Sequence, residues 1–318
     1  MPAVDARTRP SLRGHLAILR LGHWVKNVFV LPGVVVAASI DRSCLKWDLA
    51  GLLVLGLLAT GLIASSNYVL NAILDAPFDR FHPVKRLRPV PSGAVSLPLA
   101  YAQWIALMLA GAGLGLMISM PFAAVMLVLW VMGCVYNVPP LRAKDVPYVD
   151  ILTEAVNNPL RMLAGWYLTR TPSVPTTSLL ISYWMIGCYF MAIKRLAEYR
   201  DLGDPARSAA YRKSFAWYTE ARLLAAIVFF GSQAMLFFGA FIMRYRLELV
   251  LAFPLIAWVM AAYLALAFKP GSAAQEPEKL YREPALMVAV VCSAALMTLL
   301  LFVDLPVLHR IFAPTVAP

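Results

Sequence analysis

The chain has 318 residues, 61% of them hydrophobic and only 14% charged, against about 25% charged in an ordinary soluble domain. That composition excludes a water-soluble globule and points to the lipid bilayer as the solvent. The net charge of +11 lies beside long apolar runs, which argues against a nucleic-acid partner.

A spanning helix needs about 20 mostly apolar residues. Nine stretches meet that need, near 21–40, 49–70, 98–118, 121–138, 148–168, 178–194, 221–243, 249–268 and 284–303. The expected architecture is therefore all-α: a polytopic membrane protein of nine transmembrane helices in one domain over 1–318, with short loops. The basic start, "MPAVDARTRPSLRGHLAILR", has no small-residue cleavage site after the first apolar run, so it is expected to stay. Most lysines and arginines fall at the N-terminus and in the loops after the second, fourth, sixth and eighth spans. The opposite loops and C-terminus hold only Arg42, Lys46, Arg170, Arg244, Arg246 and Arg310. The positive-inside rule places the N-terminus and the even-numbered loops in the cytoplasm of a cell whose inner membrane the chain crosses.

In the first span, "LRLGHWVKNVFVLPG" puts Lys26 and Asn27 just inside the apolar run. Ionisable residues there are costly and usually functional, although a lysine near a span end also snorkels to the interface for structural reasons. The second span ends in "NAILDAPFDRFHPVKRLRP". Asn71, Asp75 and Asp79 are spaced i, i+4, i+8 and share one helix face. Two carboxylates and an amide oxygen are hard ligands suited to Mg2+, which takes one or two carboxylates together with substrate phosphates and water. Pro77 is expected to kink or end the helix near Asp79. Lys85, Arg86 and Arg88 follow, and cations beside such carboxylates suit a diphosphate. The plain alternative is a positive-inside loop whose aspartates balance its arginines.

Further along, "GAGLGLM" near 111 reads as a close-packing helix surface, since it lies mid-span with no strand before it. "VYNVPPLRAKDVPYVD" contributes Tyr136, Asn137, Arg142, Lys144 and Asp145. The fifth span, "YVDILTEAVNNPLRMLAGWY", carries Asp150, Glu154, Asn157, Asn158 and Arg161. Glu154 and Arg161, seven apart, form either a buried brace or the polar wall of a cavity, and Pro159 is expected to bend the helix. The sixth span ends in "AIKRLAEYRDLGD", with Lys194, Arg195 and Glu198 at its charged end. There a self-paired helix end competes with a phosphate contact. The four cysteines form no CxxC pair and read as packing residues. All the polar clusters fall on one side, at the ends of the first, second, fifth and sixth spans. This placement fits a phosphorylated headgroup whose apolar tail stays among the membrane lipids.

These residues resemble the UbiA superfamily of intramembrane prenyltransferases, which has nine transmembrane helices, a cytoplasm-facing cavity and an NDxxDxxxD motif ending the second helix. Here "NAILDAPFD" supplies the Asn71, Asp75 and Asp79 positions, with Ala72 where the motif has aspartate. The second acidic motif is reduced to Glu198, Asp201 and Asp204. Within the superfamily, "HWVKN", "DRFHPVKRLRPVPSG", "LRMLAG" and "KRLAE" are most similar to the decaprenyl-phosphate phosphoribosyltransferase branch. The resemblance implies transfer of phosphoribose from phosphoribosyl diphosphate to a polyprenyl phosphate lipid, with Mg2+ held by Asp75 and Asp79. It implies phosphate contacts from Lys26, Lys85, Arg86, Lys194 and Arg195. Asn27, Arg88, Tyr136, Lys144, Asn157, Arg161 and Glu198 complete the candidate substrate-binding set, and Asn71 assists the metal. A second reading keeps the fold and makes the donor a prenyl diphosphate. A third is a lipid-phosphate binding or translocating protein that does no chemistry.

Overall fold

The computed structural model describes residues 9–80, 85–171, 173–203, 212–275 and 277–313. Asp204 and part of the "DRFHPVKRLRPVPSG" stretch lie outside the described residues. No strand occurs among those described. Among the described residues eight segments are long and apolar enough to cross a membrane: Leu12–Ile40, Asp48–Asp79, Leu97–Ile118, Met120–Asn137, Thr177–Leu202, Glu220–Tyr245, Leu247–Leu266 and Pro284–Phe302. The chain is a multi-pass membrane protein.

The first segment is composite: α1 (Leu12–Ala17), a 3-10 stretch Leu21–Val30, and α2 (Leu31–Ile40). Then follow α3 (Asp48–Asp79), α4 (Leu97–Ile118) and α5 (Met120–Asn137). The expected fifth span is two short helices, α6 (Val149–Ala155) and α7 (Asn157–Leu168). Pro159 explains the break. It has no N–H for the carbonyl of Ala155, and its ring crowds that carbonyl. The remainder is α8 (Thr177–Leu202), α9 (Glu220–Tyr245), α10 (Phe253–Leu266), α11 (Pro284–Phe302) and the short α12 (Pro306–Ile311). Proline stands in the first turn of α4, α5, α10 and α11, where its missing N–H would be unpaired anyway.

The residues form two compact units. The first comprises 1–34, 43–144 and 160–171; the second comprises 35–42, 145–159 and 172–318. In the first, α3 packs along α4 and α5. Small residues allow this. A Cβ on Gly111 would lie 2.8 Å from Ile63 and 3.0 Å from the carbonyl of Ala59, so the "GAGLGLM" surface is a helix contact. Gly33 and Gly165 make a tighter crossing. A Cβ on Gly33 would fall 1.9 Å from the Met162 carbonyl, and one on Gly165 1.9 Å from that of Val30. The 3-10 stretch is tied to α3 by Trp24, whose indole donates to Ser65 (2.9 Å) while the Ser65 hydroxyl donates to the Leu19 carbonyl (2.9 Å). In the second unit α9 lies along α8, α6 packs on α8, and α10 meets α11. Its core runs through Ile151, Cys188, Ile193, Leu196, Phe215, Leu223 and Phe230. The four cysteines are free thiols.

Candidate active site

The polar face of α3 is built in its last three turns. Pro77 lies inside the helix, which continues to Asp79. The expected kink does not separate the two aspartates, because a proline so near the C-terminus leaves only one carbonyl, that of Ile73, without its helical donor. Asn71, Asp75 and Asp79 therefore stay stacked on one face. Ala72 points elsewhere, against an apolar cluster that includes Val69, Ile73 and Trp104.

Asp75 is the hub of the first unit. Its Oδ1 accepts from Lys144 Nζ at 2.5 Å and from Arg142 Nη2 at 3.2 Å. Lys144, itself buried, also donates to Asn137 Oδ1 at 2.8 Å, and Asn71 Nδ2 donates to that same oxygen at 2.7 Å. The Asn137 amide is fixed by its own bond to the Gly133 carbonyl, 2.9 Å. The Arg142 guanidinium lies 4.7 Å from the Phe78 ring centroid, and Lys144 Nζ lies 6.0 Å from that of Tyr136. One turn beyond, buried Asp79 accepts from Arg88 Nη1 at 2.8 Å.

Sequence reasoning missed Arg20. Its guanidinium sits 5.7 Å from the centroid of the Tyr68 ring and close enough to Asp75, Asp79 and Arg88 to interact electrostatically. Among the described residues its guanidinium makes no hydrogen bond or ion pair. Its backbone is left-handed, φ 49°, and that of Arg142 is also positive, φ 24°. Such values are uncommon for residues other than glycine and cluster at functional sites. Nothing in the sequence signalled this, since an arginine before an apolar run reads as an interface flank. Four cations, Arg20, Arg88, Arg142 and Lys144, thus surround two carboxylates.

The other candidates of the first unit are placed as follows. Lys85 and Arg86 open the 3-10 turn Lys85–Leu87 that follows α3. Lys26 is half-buried in the 3-10 stretch. Asn27 is buried and accepts from Arg161 Nε at 3.3 Å, so both serve as a brace between that stretch and α7.

The second unit holds a different cluster. Arg195 is 1% exposed. Its Nε donates to Asp150 (2.9 Å), its Nη2 to Glu154 (2.9 Å) and its Nη1 to Glu198 (3.0 Å). Asp150 also accepts from Arg212 (3.3 Å), from the Ser214 hydroxyl (3.5 Å) and from the Tyr218 hydroxyl (2.5 Å). Tyr218 accepts in turn from the Tyr148 amide, 2.7 Å. Burial, then the adjacent Asp150 charge, push the Tyr218 hydroxyl well above its usual pKa, so it stays a donor. Lys194 stands within electrostatic reach of Glu198. Asn157 donates to the Glu154 carbonyl, 3.0 Å, a local helix-end bond.

Among the described residues no group of three or more His, Cys, Asp or Glu side chains forms a protein-only metal cage. Mg2+ does not need one. Two carboxylates and an amide, completed by substrate phosphates and water, match its habit of binding through few protein ligands. Asn71, Asp75 and Asp79 fit a metal site that the substrate completes.

A helical membrane protein that gathers hard-oxygen donors and excess positive charge at one helix end offers a receptor for a phosphorylated group. The family model of the UbiA prenyltransferase family matches residues 28–282. The chain belongs to that family. It is 29% identical over 226 residues to the decaprenyl-phosphate phosphoribosyltransferase of Mycobacterium tuberculosis, covering 69% of this chain and 71% of that one. It is 35% identical over 132 residues to the digeranylgeranylglyceryl phosphate synthase of Saccharolobus solfataricus, covering 42% and 44%. An uncharacterized protein, y4nM, of Sinorhizobium fredii is 26% identical over 217 residues, 66% of this chain, and this match spans only 39% of that longer protein. The structure of a UbiA homolog from Archaeoglobus fulgidus bound to DMAPP and Mg2+ superposes with a TM-score of 0.67 at 20% identity, over 89% of this chain and 99% of that one. At that identity the likeness establishes the fold.

Proposed function

We propose that the protein transfers a phosphoribosyl group from phosphoribosyl diphosphate to a polyprenyl phosphate, releasing diphosphate, in a Mg2+-dependent reaction at the cytoplasmic face of the inner membrane. The observation that carries this reading is the charge balance on α3: Arg20, Arg88, Arg142 and Lys144 against Asp75 and Asp79. A site partly shielded from water with surplus positive charge is a receptor for a polyanion. The similarity to decaprenyl-phosphate phosphoribosyltransferases over two thirds of the chain supports the choice of donor.

Asp75 and Asp79, with Asn71, are the residues that would hold Mg2+, which supplies charge neutralisation to the leaving diphosphate. The chain's own groups do the rest. Lys144 and Arg142 meet the diphosphate oxygens beside Asp75, and Arg88 with Arg20 meets phosphate beside Asp79. Asn137 holds Lys144 and Asn71 in register. The C1–O bond to diphosphate breaks as a phosphate oxygen of the lipid forms the new C1–O bond. That nucleophile is already anionic, so no general base is required. Catalysis is positioning plus stabilisation of the charge that develops on the leaving group.

The second reading makes a prenyl diphosphate the donor. It is favoured by the similarity to a digeranylgeranylglyceryl phosphate synthase, and the α3 ligands serve it equally well. Purified protein with Mg2+ and polyprenyl phosphate, offered radiolabelled phosphoribosyl diphosphate or prenyl diphosphate, decides between them. Label in the lipid product from the first donor alone is expected. Label from the prenyl donor alone replaces this reading with the second, and no diphosphate release from either donor defeats both.

A further inference from the structure

In the second unit, α6 and α8 bring three carboxylates together: Asp150, Glu154 and Glu198. That is a donor set a divalent ion accepts from a protein. The space among them is filled by the chain itself. Three nitrogens of the Arg195 guanidinium each donate to a different carboxylate, at 2.9, 2.9 and 3.0 Å, and the side chain is 1% exposed. The planar fork of arginine suits this, because its donors diverge in one plane. The carboxylates are consequently spread along the edges of a guanidinium instead of converging on a point. A metal entering the cluster would displace a sealed guanidinium and leave it charged, buried and unpaired, which is strongly unfavourable.

We propose that Arg195 is the resident cation of this cluster. Together with Arg212 and Lys194 at its edge it balances the three carboxylates, it joins α6 to α8 as a divalent ion would, and the chain takes no metal at Asp150, Glu154 and Glu198. Arg195 is a positioning residue, and the contacts to phosphate fall to the first unit. The inference rests on the proposed function only in expecting a metal at Asp75. It limits that metal to the ligands of α3.

The test is a Mn2+ titration of the detergent-purified full chain, read by the EPR signal of the free ion. E154Q and E198Q are expected to bind as many Mn2+ ions as the wild type. R195A, which empties the space between the three carboxylates, is expected to bind one more. R195K keeps a cation there and is expected to bind no more than the wild type. Loss of a bound ion in E154Q or E198Q overturns the proposal, as does a folded R195A with the wild-type count. Should R195A fail to fold, the two glutamate variants decide alone. In the same titration D75N separates the two readings. If it keeps the wild-type count with inorganic diphosphate present to complete the site, the assignment of the metal to Asp75 fails, while unchanged binding in E154Q and E198Q still supports the role of Arg195.

Discussion

The clusters of the two units use the same residue types to opposite ends. Around Asp75 and Asp79 the cations outnumber the carboxylates, and Asp75 and Arg88 keep partial access to solvent, with side chains 23% and 41% exposed. Around Arg195 three carboxylates meet three cations, Arg195, Arg212 and Lys194, so the charges balance, and the central guanidinium is sealed. A buried cation whose three nitrogens each hold a carboxylate cannot meet a ligand without losing partners. A cation-rich site with an opening has charge left to offer. Residue identity does not separate a receptor from a brace; the ratio of charges and their exposure do.

The comparison breaks first at Arg195. Truncating one partner of a buried ion pair costs about 3–5 kcal/mol because the others are left uncompensated. R195A is therefore expected to show the largest loss of thermal stability of any single change in either cluster, followed by tryptophan fluorescence on heating. An R195A protein that melts with the wild type would make this cluster a solvated surface.

D75N is expected to lower the melting temperature less than R195A, because buried Lys144 keeps its bond to Asn137, and to lose transfer activity by about 100-fold or more, the scale of removing one preorganised electrostatic group. Product formation at saturating Mg2+ checks this. Near-normal turnover would remove Asp75 from the chemistry and leave its ion pairs as structure.

Arg20 and Arg88 sharpen the distinction. R20A and R88A are each expected to weaken donor binding roughly tenfold, about 1.4 kcal/mol, with the loss greatest at low ionic strength, where exposed charges are least screened. Competition by inorganic diphosphate at two salt concentrations reads it. Equal effects at both salts would mean that the arginines act through packing.

The smallest effect belongs to a pair outside both clusters. Arg200 and Glu220 form an ion pair with side chains 37% and 44% exposed. Solvent screening holds such a pair under about 1 kcal/mol, so R200A is expected to leave the melting temperature and turnover near wild type.

Much of this was legible in the sequence because it rests on local periodicity. Apolar runs of spanning length gave the membrane helices, and the i, i+4, i+8 spacing put Asn71, Asp75 and Asp79 on one face. Where local rules compete, the sequence was less informative. Pro77 lies inside α3 without breaking it, whereas Pro159 accompanies a true break between α6 and α7. A proline in the last turn removes one helical bond, while one just after a junction removes the bond that would have carried the helix through. Glu154 and Arg161 are spaced to pair on a helix. Spacing gave no sign that Glu154 also meets Arg195 or that Arg161 also meets Asn27.

The sequence by itself determined the solvent, the helical class and the shared face of Asn71, Asp75 and Asp79 on α3, because hydropathy and helix periodicity act over a few turns. Only the tertiary structure decided which charges meet. Arg20 came within electrostatic range of the aspartates through the turn before the 3-10 stretch, and Arg195 was enclosed by three carboxylates of α6 and α8. The reason is physical: the strength of a charge interaction depends on distance and burial, and packing between helices, which no spacing along the chain encodes, sets both.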